Sequence, residues 1–124
     1  MILNHVSVGA SDVIKAIEFY DSVLSTLSIK RSHYIDNIAA AYGDNLEFWV
    51  GSPYEGKATP SNGLHIAFNA PSKESVDEFY TKAIELGGTC EGKPGVRLEY
   101  GENYYAAFIR DRDGNKIEAV KILP

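Results

Sequence analysis

Two histidines and two glutamates recur in this chain in the same setting. His5-Val6-Ser7-Val8 returns sixty residues later as His65-Ile66-Ala67-Phe68, and Leu46-Glu47-Phe48 returns seventy-one residues later as Ile117-Glu118-Ala119. In an extended strand, residues two apart share a face. Each copy of the pattern therefore offers one His and one Glu on the face opposite its apolar neighbours. A lone His on a strand is more often a hydrogen-bonded core residue than a ligand. Four donors at repeat-equivalent positions shift the balance. Two imidazoles and two carboxylates form an N₂O₂ set that suits a divalent first-row ion and leaves positions open for water or substrate. His5, Glu47, His65 and Glu118 are accordingly the expected metal ligands.

The same parity gives the candidates around them. Ser7 shares the face of His5, and Trp49 shares that of Glu47, so both are expected to line a substrate site. His33 has no counterpart in the second repeat and reads as structural or exposed. Cys90, the single cysteine, has no nearby base and reads as a half-buried thiol that can form no internal disulfide.

Positioning these residues requires a duplicated unit. Glu18-Phe19-Tyr20 recurs as Glu78-Phe79-Tyr80, again at an offset of sixty. Residues 3–8 alternate and read as a strand. Apolar positions 13, 16, 17, 20, 23, 24 and 27 trace one helical stripe, with Ser11 or Asp12 as its N-cap. Three short strands follow at 29–35, 38–42 and 46–50. The second half repeats the order: a strand at 64–69, a helix capped by Ser72 and stopped at Gly87-Gly88, then strands near 96–100, 104–110 and 116–122. Asp111-Arg112-Asp113-Gly114 closes the final hairpin. The predicted class is α+β: two tandem βαβββ modules, residues 1–52 and 63–124, joined by a turn-rich connector at 53–62, in one domain. A sheet with its helix on one face curves its other face around a cavity.

Composition narrows the function classes. The 124 residues carry a net charge of −5 with acids and bases interspersed, which argues against nucleic-acid and anionic-membrane surfaces. A small molecule is the expected partner. The absence of a basic and apolar leader, together with the lone cysteine, points to the cytoplasm.

The sequence resembles the vicinal oxygen chelate superfamily, which includes glyoxalase I, fosfomycin-resistance enzymes, extradiol dioxygenases and bleomycin-binding proteins. The resemblance rests on Asn4-His5-Val6, Ile17-Glu18-Phe19-Tyr20, Gly63-Leu64-His65-Ile66-Ala67 and the closing run from Ala107 to Glu118, where Arg112 stands in place of the usual Pro. His5, Glu47, His65 and Glu118 match the metal-ligand positions of bacterial glyoxalase I. The resemblance implies one divalent ion per site (Zn, Ni, Mn or Fe), which stabilises a developing oxyanion as a Lewis acid. It also implies that Glu118, or Glu47, serves as the base, and that Tyr104 and Phe108 face the cavity.

Two positions depart from glyoxalase I. Its Arg and Asn, four residues after the first ligand His and the first ligand Glu, handle glutathione; here they are Gly9 and Gly51. Arg97, with Lys93 or Arg110, could supply the missing cation. The expected function is therefore a glyoxalase-like lyase or isomerase acting on a small oxygenated substrate other than the glutathione hemithioacetal. The alternatives are a non-catalytic drug- or metabolite-binding protein of bleomycin-resistance type and a fosfomycin-type thiol transferase. Family members of this length commonly pair, so a homodimer is expected, with the site built within one chain or across two.

Overall fold

The computed structural model describes residues 2–124. The first module runs β1 (Val6–Gly9), α1 (Val13–Ser25), β2 (Arg31–Ile35), β3 (Ala39–Tyr42) and β4 (Phe48–Gly51). The second runs β5 (His65–Asn69), α2 (Lys73–Glu85), β6 (Thr89–Val96), β7 (Tyr104–Arg110) and β8 (Lys116–Ile122). This is the expected tandem βαβββ order in an α+β fold. The strands form two four-stranded sheets, ordered β1-β4-β3-β2 and β5-β8-β7-β6. In each, the first strand lies parallel beside the last and the other pairings are antiparallel.

Both helices are set by their caps and stripes. Asp12 accepts from the Lys15 amide and Ser72 from the Ser75 amide, each satisfying an otherwise orphaned N–H. The α1 stripe is buried at Val13, Ala16, Ile17, Tyr20, Val23 and Leu24. Gly87, at φ 98°, ends α2 in the left-handed region that only glycine enters without cost.

One apolar core runs through both modules, from Val8, Tyr20 and Val50 to Val76, Phe79, Ile109 and Ile117. The Phe48 and Phe68 rings meet edge to face across the seam at 5.0 Å. The seam is also pinned by polar groups at the β7–β8 turn. Asp111, 6% exposed, receives the Tyr20 hydroxyl at 2.5 Å and the Asn115 amide at 2.9 Å, while Asn115 also donates to the Gly9 carbonyl. Ser11 donates to Asp113 through both its amide and its hydroxyl.

Three expectations shift. The strand expected near 96–100 lies earlier, at Thr89–Val96, and carries register shifts on either side of Gly92; residues 97–103 form the turn region that follows. The last strand of the first module, β4, starts at Phe48, which leaves Leu46 and Glu47 outside it. Cys90 is exposed, beside Tyr80, because β6 is the edge strand of its sheet. Among the described residues no helix is long and apolar enough to cross a membrane.

Candidate functional site

The second sheet places the second pair of donors together. β5 and β8 run parallel with Ala67 opposite Glu118 and His65 opposite Lys116. β7 sets Phe108 opposite Glu118 and Tyr104 opposite Ile122. Parity therefore puts His65, Lys116, Glu118, Phe108 and Tyr104 on one face, away from α2. His65 Nε2 lies 2.7 Å from Glu118 Oε1, and the Tyr104 hydroxyl donates to Glu118 Oε2 at 2.5 Å. Glu118 is 2% exposed, whereas His65 is open to solvent.

A buried carboxylate needs donors, and here each oxygen has one. Burial, followed by the bond to Glu118, pushes the Tyr104 hydroxyl up to about 12, so it remains a donor at neutral pH. The floor is apolar: Ala106, Phe108 and Val120 pack together, with Tyr104 against them. The His65 ring meets Phe108 edge to face at 5.6 Å.

The first sheet carries the other pair, and it arranges them differently. His5 lies one residue before β1, and its Nδ1 is bonded to the Asn4 side chain at 2.7 Å. Its ring sits 6.4 Å from Trp49. Glu47 does not extend along a strand face as its sequence parity suggests. Leu46 takes φ 57°, a left-handed conformation unfavourable for a branched side chain. Bonds from the Leu46 amide to the Gly43 carbonyl and from the Trp49 indole to the Leu46 carbonyl hold it there. The turn folds Glu47 back so that its Oε1 accepts from the Asn45 amide at 2.8 Å.

The residues assigned to metal thus fit it only by halves. His65 and Glu118 are a nitrogen and a carboxylate already in contact, a pair of donors a divalent ion could bridge. His5 and Glu47 do not join them. Among the described residues no group of three or more His, Cys, Asp or Glu side chains comes together.

Of the expected substrate contacts, Tyr104 and Phe108 lie on the Glu118 face, and Ser7 and Trp49 share the face of the first sheet, paired in register. Arg97 follows β6 and reaches back over the Phe108 ring, its guanidinium carbon 5.1 Å from the centroid. His33 belongs to this surface as well. It lies edge-on to Trp49 at 5.9 Å, in the cross-strand row Ser7–Trp49–Ala41–His33. Lacking a repeat partner, it gave no signal in the duplication; only its place in the strand register reveals it.

The glutathione-handle positions have a structural account. A Cβ on Gly9 would touch the Ala58 Cβ at 3.4 Å, and one on Gly51 would lie 2.7 Å from the Ala39 Cβ and against the Ile38 carbonyl. β3 and the residue before it fill the space that a side chain at Gly51 would need, while at Gly9 the connector only comes into ordinary contact.

Comparison with known proteins agrees with this architecture. The Glyoxalase/Bleomycin resistance protein/Dioxygenase superfamily profile matches residues 2–119. A crystal structure of a glyoxalase/bleomycin resistance protein from Albidiferax ferrireducens T118 is 36% identical, with a TM-score of 0.84 over 97% of this chain and 98% of that one. Two more distant structures share the fold. One is a glyoxalase/bleomycin resistance protein/dioxygenase family enzyme from Burkholderia phytofirmans PsJN, at 17% identity and TM-score 0.73 over 97% of this chain and 98% of that one. The other is lactoylglutathione lyase from Agrobacterium tumefaciens, at 20% identity and TM-score 0.64 over 97% and 92%. No curated protein matches the sequence. Sequence profile and fold together show that this chain belongs to the Glyoxalase/Bleomycin resistance protein/Dioxygenase superfamily.

Proposed function

We propose that this protein is a glyoxalase-type lyase or isomerase whose divalent metal is held by His5 and Glu47 from one copy of the chain and His65 and Glu118 from a second. The observation that carries the reading is the His65–Glu118 contact of 2.7 Å, in which the carboxylate is buried and the imidazole is open to solvent. A nitrogen and a carboxylate so placed form half of the N₂O₂ set, and the other half, His5 and Glu47, lies one residue before β1 and β4 of the other sheet. Homodimerisation that sets the first sheet of one copy against the second sheet of another would complete it. For this, Glu47 must leave the Asn45 amide, a single surface hydrogen bond worth about 1 kcal/mol.

When bound, such an ion polarises substrate oxygen and stabilises an oxyanion. The chain's own residues supply the rest. Glu118, on a buried apolar floor, is the base that takes a proton from the substrate, and Tyr104 holds its far oxygen while the near one meets His65. Trp49, half-buried, offers a flat surface for the substrate's carbon skeleton.

Elemental analysis of protein purified without chelator tests the reading: about one divalent ion per completed site is expected. Mixing His5→Ala with Glu118→Ala protein then tests the sharing, because mixed dimers regain one intact site. Metal-free protein that takes up neither Zn²⁺, Ni²⁺, Mn²⁺ nor Fe²⁺ would sink the metal reading and leave a metabolite-binding protein in its place.

A further inference from the structure

We propose that a trough on the first sheet takes an uncharged aromatic group, the part of the substrate that lies against Trp49, and that Gly9 keeps charged groups out of it. The position of the metal relative to the trough rests on the proposed function; the charge and shape of what enters it rest on the trough's own walls.

Beside Trp49 the first sheet opens into a cleft of about 690 Å³, within the size range of small-molecule sites. β1, β4 and β3 set Gly9, Gly51 and Ala39 side by side in register. Trp49, two residues from Gly51, lines the cleft from the same face of the sheet, and Ala58 and Thr59 of the connector line it as well. The indole N–H donates to the Leu46 carbonyl at 2.9 Å, which fixes the ring and leaves a ligand only its apolar surface. The Trp49 and His5 ring centroids are 6.4 Å apart, so a ligand lying against the indole has one end toward the proposed metal position.

The lining carries no charge. Among the described residues, none of the thirteen around this cleft is Asp, Glu, Lys, Arg or His, in a chain of which 23% is charged. Other clefts of the molecule differ: one beside α1 is lined by Asp12, Lys15 and Arg112, and one beside His65 by Arg110 and Lys116. The connector's Glu55 and Lys57 are exposed and stay outside the lining. The walls offer hydroxyls instead, from Ser7, Ser52, Thr59 and Tyr54. A charged group placed here would lose water and gain no counter-charge, whereas a neutral group with an oxygen or two can be met by the hydroxyls. A net charge of −5 adds a long-range repulsion against anions. Gly9 is the residue that sets this selectivity. A Cβ there would meet the Ala58 Cβ at 3.4 Å, an ordinary contact, so the position can carry a side chain, and a cation on it would change the charge of the trough.

Trp49 is the single tryptophan, so its emission and its indole N–H signal in NMR report on the trough directly. The test titrates methyl benzoate and benzamide, beside benzoate and benzylammonium, into the full-length protein at neutral pH. The two neutral compounds are expected to bind about tenfold tighter than either ion and to be indifferent to salt. Gly9→Arg should raise benzoate at least to the level of its ester, and Ser7→Asp should do the same for benzylammonium against benzamide. Equal affinity for ester and acid on the parent protein, an indole signal that neither neutral compound shifts, or folded variants that leave the order of affinities unchanged would overturn the inference. Metal content measured on the same protein separates the two readings. Metal uptake without a preference for neutral compounds fells this inference alone, and that preference without metal uptake fells the proposed function alone.

Discussion

The Tyr20 hydroxyl donates to the buried Asp111 carboxylate at 2.5 Å, joining α1 to the β7–β8 turn across 91 residues of sequence. This bond and its neighbours at Asn115 and Ser11 are the polar part of the seam between the modules. Tyr20→Phe removes one donor and leaves Asp111 with the Asn115 amide and two backbone N–H groups. The expected loss is about 1–2 kcal/mol of unfolding free energy, read as a lower urea midpoint with an unchanged slope.

Alkaline titration should expose the same tyrosines. Burial, and then bonds to Asp111 and Asp21, raise Tyr20 and Tyr42 above the ordinary tyrosine value; Tyr105 is pushed up to about 12 by burial and its bond to Asp77. The folded state thus holds these protons when the unfolded chain has released them. The stability they contribute is fully present below pH ~10, the ordinary tyrosine value, and is lost as pH rises beyond it. Urea midpoints should stay level from pH 8 to about 10 and then fall, and Tyr42→Phe should flatten part of that fall. A level profile through pH 12 would contradict the assignment.

Tyr104→Phe should leave the fold intact and weaken the metal binding proposed for Glu118. Without its hydroxyl, Glu118 keeps only His65 as a partner and is free to turn. Loss of such an outer partner typically costs 10- to 100-fold in metal affinity. A competition titration with a chelating dye should show a loss in that range, with an unchanged circular dichroism spectrum.

Activity on the glutathione–methylglyoxal hemithioacetal should be weak. Glutathione brings two carboxylates, and burying either without a partner costs several kcal/mol. Gly9 and Gly51 offer no donor, and Ala39 with the Ile38 carbonyl leaves no room to install one at Gly51. The kcat/KM of Zn²⁺- or Ni²⁺-loaded protein should fall well below the ~10⁴–10⁸ M⁻¹s⁻¹ of working enzymes. Gly51→Asn should cost stability, by about 1–3 kcal/mol of overpacking, and not restore activity.

The fold was legible because two periodicities and an internal repeat agreed: β7 and β8 fall at the expected bounds, and both helices start within a residue of their expected caps. Sequence spacing also put His65 and Glu118 on the face away from the helix, and the resemblance added Phe108 and Tyr104 to it, since a strand's alternation survives as long as the strand is regular. It failed at Glu47, where alternation was counted through a turn that Leu46 breaks with a positive φ. It failed again at β6, whose glycines and bulges erase the period-two signal. Nor can spacing show how two sheet faces meet, because that depends on packing between modules and between copies.

The seam ring pair has a consequence for how this chain has been free to change. Phe48 and Phe68 meet at 5.0 Å, whereas the residues at the duplicated positions are Ala119 and Val8. The repeat is therefore lopsided in volume: two aromatic rings stand at one pair of positions and an alanine and a valine at their duplicated counterparts, all inside a single core. A smaller side chain at Phe48 would leave a hole beside the Phe68 ring, so its cost falls on both halves at once.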